Sequence, residues 1–227
     1  MYSLETKVKK FYSNIRFPGP YTLSDLYFYN EYKNNFLEPY VTTAQSAFNI
    51  LEIGCGTGYI TNLIALQNPN CQIDAVDFAD SIDYAKKFSI KHDIKNIKYY
   101  KQNFLKFVPK KNYDLIISNG VLHHIPNLNK AIHIINKINA TKMVLGLYNT
   151  YGKLYKKIIP IKYRNQLLYE DQEFAPYEVS FTHKEVLKLF PKYRLISTYP
   201  NMPFVDFKNL YNYKNGGLTI YNFIKNG

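Results

Sequence analysis

Cysteine is scarce in this chain, and the two that occur, Cys55 and Cys71, have neither metal-ligand spacing nor the dense, even arrangement of a secreted disulfide framework. A reducing compartment is therefore expected. No run approaches the roughly 18 consecutive apolar residues of a membrane span, and no basic head followed by an apolar stretch opens the chain. These absences point to a cytoplasmic location with no transmembrane segment. Acidic residues are few: 17 Asp and Glu face 29 Lys and Arg, leaving a formal net charge of +12. That balance favours anionic partners, among them nucleic acid, phosphorylated metabolites or a membrane surface, and it is equally the background of a Lys-, Asn- and Tyr-rich composition. Internal repeats and low-complexity linkers are also missing. With 46% hydrophobic residues over 227 positions, one buried α/β core with a small cap is expected, and two large independent domains are not.

The segments that are present alternate. Residues 2–40 carry Tyr, Phe and Leu at irregular helical spacing around Phe17-Pro18-Gly19-Pro20, which predicts two short helices joined by a rigid bend, an N-terminal cap over residues 1–45. From Asn49 a strand-and-helix rhythm begins: strands at 49–53, 72–77, 97–102, 113–119 and 142–148, with helices near 60–67, 81–91 and 128–138. Short apolar strands alternating with helices predict a Rossmann-like, doubly wound sheet, mostly parallel. The rhythm breaks at about 150–181, an expected insertion holding the basic Lys153, Lys156, Lys157, Lys162 and Arg164 and the acidic Glu170, Asp171 and Glu173. Thr182 with Glu185 forms a capping-box signature for a helix through Phe190, and strands at 194–199 and 218–224 follow, one of them a C-terminal antiparallel strand.

The most informative segment is ILEIGCGTGYIT, residues 50–61, a buried strand running into Gly54, Gly56 and Gly58 and then into a helix. Glycine lets the backbone approach a ligand closely. A dinucleotide site places its third glycine after a two-residue gap, whereas position 59 here is Tyr and the spacing is GxGxG, which disfavours a nicotinamide cofactor. Asp77 ends the next strand about 20 residues on, where a carboxylate accepts hydrogen bonds from both hydroxyls of a ribose.

Glu52, Gly54, Cys55, Gly56, Thr57 and Gly58, together with Asp77, resemble the first two signatures of the class I S-adenosylmethionine-dependent methyltransferases. The resemblance extends through YDLIISNGVLHHIPN, residues 113–127, which is similar to the fourth-strand region of the small-molecule-type members. It implies S-adenosylmethionine as cofactor. The glycine turn would hold the methionyl part, Phe78 would lie against the adenine, Asn103 and Phe104 would contact its edge and face, and Asn119 would complete the site. Asn103 stands where the family commonly has Asp. Glu52, at the end of a buried strand, either meets the cofactor's cationic end or braces the turn through hydrogen bonds.

Methyl transfer is an in-line displacement, so the protein mainly aligns the nucleophile, excludes water and, where needed, removes a proton. His123 is the candidate base or acceptor-orienting group after the fourth strand, and His124 is expected to satisfy backbone groups. Tyr12, Arg16 and Tyr21 of the cap are candidates to line the acceptor pocket. The sequence Ser118-Asn119-Gly120-Val121 lacks the [DN]PP[YF] motif of nucleic-acid amino-methyltransferases. No cysteine is placed as a cytosine C5 nucleophile. Asn119 and Asn149 replace the carboxylates a magnesium-dependent catechol-type enzyme uses, so no metal is expected. A small, anionic acceptor methylated on oxygen or nitrogen is the leading reading. An RNA or nucleotide methyltransferase and a non-catalytic cofactor-binding partner module stay open beside it.

Overall fold

The computed structural model describes residues 2–15, 17–29, 36–154, 175–201 and 217–227. Arg16 and most of the expected insertion, including its basic run beyond Lys153 and its acidic group, lie outside the described residues.

Seven strands form one sheet in the order β3-β2-β1-β4-β5-β7-β6. Their ranges are β1 Asn49–Ile53, β2 Gln72–Asp77, β3 Ile97–Lys101, β4 Leu115–Asn119, β5 Lys142–Tyr148, β6 Tyr193–Tyr199 and β7 Leu218–Lys225. Strands β1 to β5 pair in parallel, and β7 runs antiparallel to both β5 and β6. The expected architecture is thus present. The strand order reverses between β1 and β4, and in such sheets the crevice at that point, outside the carboxyl ends, is where ligands bind.

The period-2 alternation of each strand decides which core each residue joins. In β1, Leu51 and Ile53 face one layer while Ile50 faces the other; in β4, Ile116 and the pair Leu115 and Ile117 divide in the same way. Helices α6 (Leu128–Ile138) and α7 (His183–Leu189) cover the first layer through Ile135 and Val186. The second is covered by α4 (Tyr59–Gln67), through Leu63 and Ile64, and by the N-terminal helices. Helix α5 (Ser81–Lys91) contributes Phe88 to the same layer. The Thr182–Glu185 capping box forms as expected: Glu185 N–H donates to the Thr182 hydroxyl, and Thr182 N–H donates to the Glu185 carboxylate at 2.7 Å.

The N-terminal segment differs from the sequence reading. Among the described residues three helices are present rather than two: α1 (Leu4–Asn14), α2 (Leu23–Tyr27) and α3 (Glu38–Ala44). Valine and two threonines give α3 poor intrinsic helix propensity. It forms because Tyr40, Val41 and Ala44 are buried in the second core layer together with Leu26 of α2. Burial of roughly 1.5–3 kcal/mol per large apolar side chain outweighs propensity differences of a few tenths.

Candidate functional site

The turn after β1 takes its shape from backbone groups. Gly54 and Gly56 have φ of +75° and +54°, left-handed values that a side chain rarely adopts. A Cβ on Gly54 would lie 2.2 Å from Val121, and one on Gly56 would lie 2.4 Å from the Phe17 carbonyl oxygen. Close approach by the β4 loop on one side and the Phe17 bend on the other therefore requires both glycines. Asp77, at the tip of β2, accepts the Gly56 N–H on one carboxylate oxygen and the Ala79 N–H on the other, each at 2.8 Å. Burial raises its pKa, and the backbone N–H groups that favour the charged form oppose that rise.

A cavity opens over these groups, at the carboxyl ends of β4, β1, β2 and β3. Gly54, Gly56, Asp77, Phe78, Asn103, Phe104 and Asn119 all line it, as does Tyr12 of α1. The residues expected from the sequence are thus brought together from four strand ends and one helix. Other expected residues lie behind the wall. Cys55 is buried against Ala75 and Ile82, and Gly58 opens α4. Glu52 points to the α4 face of the sheet, where the Thr61 hydroxyl donates to its carboxylate. Burial pushes Glu52 up to about 7. It braces the turn from beneath rather than facing the cavity. Tyr21 likewise does not line the cavity: its buried hydroxyl donates to the Thr57 carbonyl at 3.0 Å and accepts from the Asn62 amide at 2.9 Å. Thr57 in turn donates from its N–H to the Phe17 carbonyl at 3.2 Å and from its hydroxyl to the Pro18 carbonyl at 2.9 Å. The bend is stapled to the glycine turn.

His124 satisfies a backbone group as expected, and His123, expected to face the acceptor, is instead held by a backbone group in the core. His123 is fully buried, stacked on Tyr148 with ring centroids 3.8 Å apart, and it is not part of the cavity wall. The Tyr148 N–H donates to its Nδ1 at 3.3 Å, so in the neutral ring the proton sits on Nε2. Burial holds its pKa well below the ordinary value, and His124 and Lys153 add to the effect. Lys153 lies 3.3 Å from the centroid of the Tyr148 ring and 3.1 Å from a Glu178 carboxylate oxygen. His124, by contrast, lines the cavity. Its Nδ1 sits 2.8 Å from the Tyr177 carbonyl, which can only accept, so Nδ1 carries a proton and in the neutral ring Nε2 does not. Neighbouring rings are thus held in opposite tautomers by two backbone groups.

Sequence reasoning missed Glu5, Val121 and the apolar Ile125-Pro126 wall, which also line the cavity. It missed Tyr40 too, whose hydroxyl donates to the Asn119 side-chain carbonyl at 2.9 Å and so leaves the amide N–H groups as the donors Asn119 can offer. The strand alternation was the available signal for the last contact, since Asn119 shares a face with Leu115 and Ile117, toward α3.

A glycine-turn cradle and a strand-tip carboxylate beside the switch point of a mostly parallel sheet define a Rossmann-like nucleotide-cofactor fold. The model of the methyltransferase domain family matches residues 44–189. The chain belongs to that family. A malonyl-[acyl-carrier protein] O-methyltransferase from Bacillus anthracis is 32% identical over 111 residues, covering 49% of this chain and 40% of the relative. One from Acetivibrio thermocellus is 27% identical over 159 residues, covering 69% and 55%. The chain thus spans about half the length of these curated relatives. Among solved structures, the N-methyltransferase NodS from Bradyrhizobium japonicum in complex with S-adenosyl-L-homocysteine superimposes with a TM-score of 0.66 at 16% identity, over 97% of this chain and 100% of that one. The magnesium protoporphyrin IX methyltransferase of Synechocystis gives 0.63 at 14% identity, over 99% and 100%. At these identities the likeness establishes the fold. Among the described residues, no helix is long and apolar enough to cross a membrane.

Proposed function

We propose that this chain transfers the methyl group of S-adenosylmethionine to an oxygen or nitrogen of a small acceptor. The observation that carries the reading is the joining of Asp77 to Gly56 at the cavity: one carboxylate both fixes the glycine turn and keeps lone pairs for two vicinal hydroxyls. Phe78 and Phe104 offer aromatic surface for a purine next to it, and Asn119, with its carbonyl held by Tyr40, offers N–H groups to a carboxylate. The residues present therefore fit the cofactor. When bound, it supplies an electrophilic methyl on a sulfonium.

The chain's own groups then have three tasks. The Ile125-Pro126 wall and Tyr12 exclude water from the transfer path. Val121, pressed against Gly54, fixes the spacing between the two loops. His124, on the cavity wall with its Nδ1 held by the Tyr177 carbonyl, orients the acceptor. The relatives named for malonyl-[acyl-carrier protein] support an anionic or carrier-linked acceptor, and the net charge of +12 is in keeping with one. The same charge is the one observation favouring an RNA acceptor, and steep salt dependence of RNA binding is what that alternative requires.

Calorimetric titration with S-adenosylmethionine and S-adenosylhomocysteine tests the cofactor reading. Both should bind the wild-type chain, and Asp77→Ala should weaken both by about 100-fold or more, the worth of two charged hydrogen bonds. Because Asp77 also holds two backbone N–H groups, the variant should lose about 1–3 kcal/mol of stability as well. Unchanged affinity in a folded Asp77→Ala protein rejects the reading. Turnover is then sought with labelled cofactor and pools of small acids, phenols and amines.

A further inference from the structure

The cavity runs along consecutive strand tips, and that order constrains where each part of the proposed cofactor lies. An amino-acid tail at Gly54 and a ribose at Asp77 would occupy the tips of β1 and β2, so the purine would continue toward the exit of β3, residues 102–105. The apolar groups there, Phe78, Phe104 and Leu105, suit the faces of a base. The polar groups suit its edge, and their hydrogen bonds are already partly assigned. Asn103 caps a short 3-10 turn: its side-chain carbonyl accepts the Leu105 N–H at 2.8 Å. Its amide N–H group donates to the carboxylate of Glu5, which reaches across from the first turn of α1. Asn103 thus turns its acceptor to its own backbone and its donor to Glu5. Gln102 and Glu5 both line this end of the cavity, and of the two the Glu5 carboxylate is the acceptor-only group, with capacity to spare beyond Asn103.

Resting on the cofactor reading above, we infer that Glu5 is the residue that recognises the exocyclic amine of the cofactor's adenine, with Asn103 positioning it. A carboxylate is acceptor-only and an aryl amine presents donors, so the pair is complementary. A purine without the amine leaves the carboxylate only its bond from Asn103 and solvent, with no donor from the ligand. An acid in the first turn of a helix is favourable for the helix itself, but that accounts for neither the contact with Asn103 nor the place in the cavity wall. The arrangement also makes α1 a part of the cofactor site and not only a cover over the acceptor.

The test compares S-adenosylhomocysteine with its analogue carrying hydrogen in place of the exocyclic amine, titrated calorimetrically into wild-type, Glu5→Ala and Glu5→Gln proteins. Glu5 is exposed on the first turn, so both variants should keep the wild-type melting temperature within about 2 °C. The wild type should prefer the adenine form by about tenfold. Glu5→Ala should lose that preference by weakening the adenine form alone, and Glu5→Gln, which keeps an acceptor oxygen, should restore part of it. Equal weakening of both ligands, or a preference unchanged in Glu5→Ala, overturns the assignment while leaving the cofactor reading intact. A wild-type chain that binds neither ligand overturns both.

Discussion

The loops after β1 and β4 meet where Gly54 approaches Val121, yet they are made by different means. The first is a backbone device: three glycines at positive φ, the Gly54 N–H on the Val76 carbonyl at 2.7 Å, and the Gly56 N–H on Asp77. The second is a side-chain device, in which Asn119, His123 and His124 take their roles from the partner that fixes each amide or ring. A loop that must approach a ligand closely dispenses with side chains, whereas a loop that must handle a particular acceptor depends on which nitrogen carries a proton. Changes in the first should therefore appear as lost cofactor affinity or stability. Changes in the second should appear as lost turnover.

The largest effect expected within this contrast is at the histidine pair. His124→Asn should lower turnover by about 100-fold or more with cofactor affinity within about twofold of wild type, the signature of a lost acceptor-orienting group. His123→Ala should instead cost about 2–3 kcal/mol of stability, because it empties a core position and frees the Tyr148 N–H, while turnover per folded molecule stays near normal. Steady-state rates with an acceptor identified by label transfer, set beside denaturant melts, measure both. The opposite outcome, with His123 controlling rate and His124 controlling stability, would break the contrast.

The contrast also separates what is legible in the sequence from what is not. Glycine at positions 54 and 56 is a backbone requirement written directly into the sequence, and Asp77 follows at the next strand's end, so this half of the site is readable. The strands are readable because buried parallel strands are short apolar runs, and β1, β2 and β5 carry the expected bounds. The second half is not. His123 and His124 are adjacent in a short 3-10 turn, where neither helical nor strand periodicity assigns a face, and their tautomers depend on backbone groups of Tyr148 and Tyr177 far along the chain. Glu5 is hidden for a related reason, since only the docking of α1 over the exit of β3 brings it to Asn103. Tyr21 lies near the cavity in sequence terms but behind it in space, because the bend at Pro18 turns the chain onto Thr57.

A middle-sized effect concerns the carboxylate beneath the glycine turn. Glu52 rises from an ordinary 4.5 to about 7 by burial, so between those values the unfolded chain releases a proton that the folded chain retains. The unfolded state binds fewer protons over that window, and stability must fall as pH rises from about 4.5 to about 7, then level off. The full drop from this one group is on the order of 3 kcal/mol. Glu52→Gln keeps an acceptor for the Thr61 hydroxyl and should flatten that part of the profile in denaturant melts taken from pH 4.5 to 8. A Glu52→Gln profile as steep as wild type would show that the brace is not the titrating group, and the first loop would then rest on its backbone contacts alone.

The smallest effect sharpens the boundary between the bracing residues and the cavity wall. Tyr21→Phe removes the donor to the Thr57 carbonyl, whereas Asn62 keeps its second contact, to the Gly58 carbonyl at 2.9 Å. One buried carbonyl left without its donor is worth about 1 kcal/mol, or a fall of about 2–4 °C in melting temperature for a chain of this size. Because the hydroxyl touches the far side of the turn, cofactor affinity should drop by no more than about threefold and the acceptor KM should not move. A large rise in acceptor KM with melting temperature unchanged would instead put Tyr21 against the acceptor. In that case the bend at Pro18 must open when ligand binds, since the phenol reaches the cavity only if its bond to Thr57 breaks.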